Sequence, residues 1–268
     1  MKNEIERIGD VVKKINPALV QKQSKRWEAA EKKYRYRKVT DHEKKYAQKL
    51  KKEIEISKVQ VTTKELVEMV KVKGQELLNE TFTKTRKKLV LDKENLGFVQ
   101  TICAYFADDE KFLKSKIFLN TPSFDKGLLI IGTNGFGKSF LFEVLNSIFA
   151  PVANCTDKYF SITNVDELVN QYNQHGSSAL DPFKKKGNVF FDEIGIEEVG
   201  KHYGSQKDVV SELFQLRIGA MKRGKVSHGA TNLTMDAILQ KYGKRVESRF
   251  YELFNIVEIS SNRDFRKI

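Results

Sequence analysis

Gly127-Leu128-Leu129-Ile130-Ile131-Gly132-Thr133-Asn134-Gly135-Phe136-Gly137-Lys138-Ser139 is the stretch on which the reading of this chain turns. Its first six residues form a short apolar run, as a strand buried on both faces of a parallel sheet requires. Glycines follow at 132, 135 and 137, then a lysine and a hydroxyl residue. Strand, glycine-rich turn and helix start, in that order, make a P-loop pattern. Glycine permits backbone angles and a close approach that a side chain would block. The successive N–H groups of Gly132, Thr133, Asn134, Gly135, Phe136, Gly137, Lys138 and Ser139 then form a concave anion site at a helix N-terminus, where the dipole favours phosphate. Lys138 supplies a point charge to β- and γ-phosphates, and Ser139 a hydroxyl to magnesium. The stretch therefore predicts binding of ATP with Mg2+, and hydrolysis is the expected activity.

Working outward, Asn188-Val189-Phe190-Phe191 reads as another buried strand ending in Asp192-Glu193, 54 residues after Lys138. An acidic residue at the carboxyl end of a strand beside the P-loop strand can hold magnesium, usually through water. Asp192 is that candidate. Glu193 is placed to accept a proton from the attacking water, the alternative being a plain surface charge. The strand Val226–Thr231 ends at Asn232, which can orient that water or can cap the helix beginning near Thr234-Met235-Asp236. In Gly243-Lys244-Arg245-Val246-Glu247-Ser248-Arg249-Phe250, an arginine just before the last strand cannot easily reach its own phosphates. It can project into a neighbouring subunit's site and stabilise transition-state charge, or it can form a surface ion pair with Glu247 or Glu252.

Helix Ser139–Ile148, a strand at Tyr159–Thr163, a helix opened by the capping-box spacing Asn164-Val165-Asp166-Glu167, a helix at Ser211–Lys222 and a strand at Ile256–Ile259 complete the pattern. Strands alternating with helices predict an α/β fold with a five-stranded parallel sheet flanked by helices. Length allows one large domain, or a medium one with an appendage: the expected division is a basic helical region 1–85 and an ATPase domain 86–268.

Charge supports that division. Of the formal +13, residues 1–100 carry 26 Lys+Arg against 15 Asp+Glu, whereas the rest carry 22 against 20. Such segregation points to an acidic partner, nucleic acid above all, or else to a solvated helical arm. Lys22–Lys38 interleaves cations with Trp27, Tyr34 and Tyr36, suited to neutralising phosphates while stacking bases, and equally suited to a partner-binding helix. Thr62 or Thr63 caps a further expected helix. No apolar run approaches the roughly 20 residues needed to cross a bilayer, and the N-terminus lacks a signal-peptide core. A cytoplasmic location without membrane contact is expected. Cys103 and Cys155 and the four histidines have no metal-ligand spacing, so no zinc is expected.

By these residues the chain resembles the AAA+ ATPases, and within them the DnaC/DnaI helicase loaders and the IstB transposition ATPase. GTNGFGKS (132–139), FFDEIG (190–195), ATNL (230–233), YGKRVESRF (242–250) and DFRK (264–267) carry the resemblance. It implies a Walker B motif at Asp192 and Glu193, a sensor-1 residue at Asn232, and an arginine finger at Arg249 with Arg245 beside it. A sensor-2 arginine falls at Arg266, after Phe rather than Tyr and with Arg263 nearby. The resemblance further implies a homo-oligomer with shared ATP sites acting on single-stranded DNA and a replicative helicase, or, in the IstB manner, on duplex DNA with a transposase. A nucleotide-gated DNA-binding adaptor without significant turnover is the reading from another class. The short stretch after the last strand, with no helical lid expected, resembles both the loaders and IstB.

Overall fold

The computed structural model describes residues 61–83, 87–153, 156–202, 205–259 and 264. The expectations for residues 1–60, Cys155, Arg263 and Arg266 lie outside them. In chain order the elements are α1 (Thr63–Thr81), α2 (Leu96–Phe106), β1 (Gly127–Gly132), α3 (Lys138–Phe149), β2 (Phe160–Asn164), α4 (Val165–His175), α5 (Asp181–Lys185) and β3 (Asn188–Ile194). A small hairpin of β4 (Gly200–His202) and β5 (Ser205–Lys207) follows, then α6 (Val209–Met221), β6 (Ser227–Thr231), α7 (Met235–Leu253) and β7 (Phe254–Ile259).

Five strands form one parallel sheet in the order β2-β3-β6-β1-β7. Every residue of β1 is buried, and its alternate side chains serve opposite layers. Leu128 and Ile130 pack with α1, α2 and α3, whereas Leu129 and Ile131 pack with α4, α6 and α7. That period of two explains why the strand is apolar throughout: neither face meets water. The α/β class and five parallel strands are as the sequence predicts; β2 is shifted by one residue, β6 starts one residue later, and two strands are longer than expected. β3 continues through Asp192 and Glu193 to Ile194, and β7 begins two residues before Ile256, directly from α7. The hairpin β4–β5 has no counterpart in the sequence reading, because two three-residue polar strands carry no alternation.

Helix α1 belongs to this architecture. Thr62 caps it: its hydroxyl accepts from Glu65 N–H while the Glu65 carboxylate accepts from Thr62 N–H at 2.9 Å, a reciprocal capping box. The buried face of Leu66, Val67 and Val70 joins the cluster that holds Leu128 and Ile130. Gly74 lets α1 come close, since a Cβ there would lie 3.0 Å from Leu89 Cδ2 and 3.5 Å from Val144 Cγ2.

Two buried basic residues, one charged and one neutral, pin the sheet. Arg217 of α6 is fully buried and donates to Ser227 Oγ (2.8 Å) and to the carbonyls of Lys186 (3.1 Å), Gly187 (2.9 Å) and Val226 (3.0 Å). It ties the starts of β3 and β6 together, and burial lowers its pKa to about 10. His228 of β6 lies among Phe106, Phe142 and Phe160, and its Nδ1 accepts from Leu128 N–H at 3.2 Å. Burial pushes its pKa down to about 3, so it is neutral there.

Candidate nucleotide-binding site

The P-loop leaves the carboxyl end of β1 and closes onto α3. Gly135 (φ 85°) and Gly137 (φ 88°) both occupy the left-handed region, which only glycine enters without strain. At Gly135 a Cβ would also fall 1.8 Å from Asp264 Oδ1, so this glycine is required twice. Gly137 serves as the N-cap of α3, which leaves the helix's first N–H groups facing the loop.

Lys138 is 8% exposed, and its ammonium is held from three sides. It donates to Gly132 O (2.6 Å), Thr133 O (2.9 Å) and Asn232 Oδ1 (2.8 Å). Ser139 Oγ donates to Asp192 Oδ1 at 2.7 Å. The P-loop, the β3 end and the β6 end are thus drawn together by two side-chain bonds. Asn232 does not cap α7; Thr234 does, its hydroxyl accepting from Ala237 N–H at 3.2 Å. Cap geometry needs the oxygen three residues before its donor, and Asn232 is two residues too early.

Burial raises the Asp192 pKa, offset in part by the bonds from Ser139 and from Glu193 N–H. A hydroxyl and a carboxylate side by side are hard oxygen donors, few in number. They fit a small divalent ion that keeps several of its waters, as magnesium does.

Glu193 sits where β3 shifts register against β6, and its φ of 59° is uncommon outside glycine. This geometry turns its exposed side chain toward β2, where Asn164 Nδ2 donates to Glu193 Oε2 at 2.7 Å. Asn164 pairs with Asp192 in the parallel register and also caps α4, accepting from Glu167 N–H at 3.2 Å. Reading the sequence missed its second role. The available signal was its place at the carboxyl end of the strand adjoining the acidic one, but the capping-box spacing accounted for it fully.

Lys138, Ser139, Asp192, Glu193 and Asn232 line one end of a cavity of about 760 Å³. The other end is largely apolar, walled by Leu78 of α1, Phe82 at its C-cap, Leu89 and Leu91 from the following segment, and Phe98 from α2, with Lys87 and Lys88 also in the lining. Phe98 meets Phe136 of the P-loop edge to face at 5.7 Å. Gln75 fixes the segment by donating to Lys87 O and accepting from Leu89 N–H, both at 2.9 Å. Asn95 does likewise, donating to Val90 O (2.8 Å) and accepting from Asp92 N–H (2.9 Å). Nothing in the sequence pattern assigns Leu78, Phe82, Leu89, Leu91 or Phe98 to the site.

Arg245 and Arg249 stand apart, and neither lines the cavity. Both follow Gly243, whose φ of 78° and ψ of 169° break α7 into two helical pieces. Arg249 pairs with Glu252 one turn on, which is the surface ion pair the sequence left open, and its Nε is buried with no hydrogen-bond partner among the described residues.

Sheet order, loop and closing side chains together define a fold class: a P-loop α/β domain built on a five-stranded parallel sheet. The chain is similar to the solved structure of DnaI, with 19% identity and a TM-score of 0.45 over 66% of this chain and 87% of that one. It is likewise similar to the DnaC helicase loader, with 16% identity and a TM-score of 0.46 over 64% and 93%. AMPPCP-bound DnaA from Aquifex aeolicus is similar at 15% identity and a TM-score of 0.43, over 66% and 50%. No family model matches the sequence, and neither does any curated protein. At these identities and TM-scores the likeness carries nothing about activity, which has to come from the chain's own residues. Among the described residues, no helix is long and apolar enough to cross a membrane.

Proposed function

We propose that this protein is a DNA-dependent AAA+ ATPase that loads a replicative helicase, binding and hydrolysing ATP to control assembly on single-stranded DNA. The observation that carries the ATPase reading is the pair of bonds Lys138–Asn232 and Ser139–Asp192 at the polar end of a long cavity. The polar end suits a triphosphate, and the apolar end a base and ribose. Lys138 turns from Asn232 toward the β- and γ-phosphates. Ser139 and Asp192 are the residues for magnesium, whose chemistry there is to neutralise charge on the phosphate oxygens. Asn232, released from the lysine, orients the attacking water, and Glu193 takes its proton. While Asn164 holds the Glu193 carboxylate, that base is turned aside, so exchange of this bond accompanies the active state.

Arg249, with Arg245 as its neighbour, acts in a second copy's site; its position off its own cavity supports this reading. Arg266 is proposed to sense the γ-phosphate. The loader role rests on the motif resemblance and on the basic excess of the N-terminal third. Because α1 packs into the α/β layer, the partner- and DNA-contacting region is proposed to end before Val61 rather than at residue 85. Turnover of the full chain, with and without single-stranded DNA, tests the first part. Mixing Arg249→Ala with Lys138→Ala subunits should restore turnover that neither has alone; no restoration removes the shared site. Binding of the full chain to its host's purified replicative helicase, lost on removing residues 1–60, tests the second. Binding to a transposase instead would replace the loader with an IstB-like transposition helper. DNA binding that follows nucleotide without turnover would leave an adaptor.

A further inference from the structure

The turn that follows Asp192-Glu193 is held by a cluster that the site as described does not use. Glu197 is buried, with 4% of its side chain exposed, and both carboxylate oxygens are engaged. Its Oε2 accepts from Gly195 N–H at 2.7 Å. Its Oε1 accepts from the Tyr242 hydroxyl and lies 3.1 Å from Lys241 Nζ. The Lys241 ammonium also donates to Gly195 O (2.6 Å) and Glu197 O (2.8 Å), so residues 195–197 wrap around one cation. A buried carboxylate is tolerable only when paired and hydrogen-bonded in this way.

Both partners, Lys241 and Tyr242, immediately precede Gly243, where α7 breaks before the piece bearing Arg245 and Arg249. On its other side the turn is fastened to β6, since Thr231 Oγ1 donates to Ile194 O at 2.6 Å. Gly195, at φ 106°, admits no Cβ because Leu233 Cδ1 would lie 2.4 Å from it. Glu193, at φ 59°, thus opens a backbone turn that is clamped at both ends.

We propose that Glu197 is a positioning residue: through Lys241 and Tyr242 it fixes the turn that aims Glu193 and couples it to the hinge at Gly243. The inference rests on the ATPase reading for its consequence in turnover, but its geometry does not. Displacement of the arginine-bearing helix by a neighbouring copy reaches Glu193 through this clamp, a mechanical route separate from the phosphates.

The test uses the full chain with Glu197→Gln and Tyr242→Phe, the latter removing one hydroxyl without altering the packed ring. Amide exchange of residues 193–197 should accelerate roughly tenfold or more in both variants, while the five strands exchange as in the wild type. Turnover at saturating ATP should fall roughly tenfold with affinity for a non-hydrolysable analogue unchanged, a loss confined to kcat. Unchanged exchange at 193–197 overturns the proposal, as does faster exchange across the whole sheet, which marks a general structural role. Wild-type turnover in Tyr242→Phe despite faster local exchange overturns the coupling to Glu193. Failure of the ATPase reading looks different: no turnover by the wild type itself, with the exchange result still deciding the clamp.

Discussion

The two ends of the cavity are built on opposite terms. At the polar end Lys138, Ser139, Asp192 and Asn232 arrive from the carboxyl ends of three adjacent strands and meet in hydrogen bonds of 2.7 and 2.8 Å. Directional bonds at that length require particular atoms, so each residue type is fixed. At the apolar end Leu78, Phe82, Leu89, Leu91 and Phe98 come from two helices and the segment between them. Contact there depends on bulk and area, which several side chains supply equally well. Specific chemistry is placed on the rigid sheet, and adaptable packing on the layer laid over it.

The sharpest break in this comparison is Glu193→Gln, which should lower turnover about 100-fold or more while leaving nucleotide affinity intact. Single-turnover kinetics beside a binding titration read both, and a parallel loss of affinity would merge the two roles. Next comes Lys138→Ala, removing charge-assisted bonds of about 3 kcal/mol and thus roughly 100-fold of triphosphate affinity. At the apolar end Phe98→Ala should cost about 1 kcal/mol, near fivefold, and equally for ATP and ADP because no phosphate is involved. Unequal losses would show that the wall senses the phosphates. The smallest effect belongs to Asp264→Asn. Its carboxylate lies against Gly135, and removing that charge should improve triphosphate affinity about twofold, an amount within the range of a screened surface charge.

The fold itself offers a pH test on the layer beneath the apolar end. His228 has a folded-state pKa of about 3, below that of a free imidazole, so the unfolded chain binds the extra proton. Stability should therefore be full above pH 6.5 and fall by about 1.4 kcal/mol per unit as pH drops toward 3. A midpoint of urea unfolding that stays level between pH 6.5 and 5 would contradict a neutral buried imidazole.

What could be read from the sequence divides along the same line. The P-loop, the Asp192-Glu193 pair and the five strands announce themselves through residue type at short spacing. Asn164 did not, because its cap geometry satisfied the local pattern, and only parallel pairing of β2 with β3 brings it beside Glu193. Gln75 and Asn95 escaped for a related reason: each binds the main chain of a neighbouring segment, and main chain leaves no mark on sequence. From sequence, helix α1 reads as part of the appendage because its polar, Lys- and Glu-rich composition continues the helical character of residues 1–60. Its buried stripe is only Leu66, Val67, Val70 and Gly74, narrow enough to be hidden among lysines and glutamates.

The strand order also sets a timetable for the ribosome. β1 is paired at Leu129 with Gly229 and at Gly127 with Phe254, so its two neighbours are made 100 and 127 residues after it. At about 5–20 residues per second the strand that leads into the P-loop waits on the order of 6 to 25 s for the second of them. During that interval β1 is an unfinished edge with sticky faces, the kind of segment chaperones recognise and aggregates recruit. A message cut short between the codons for Thr231 and Phe254 would yield a chain that has every P-loop residue, Asp192 and Glu193, and yet carries its nucleotide loop on a bare margin of the sheet.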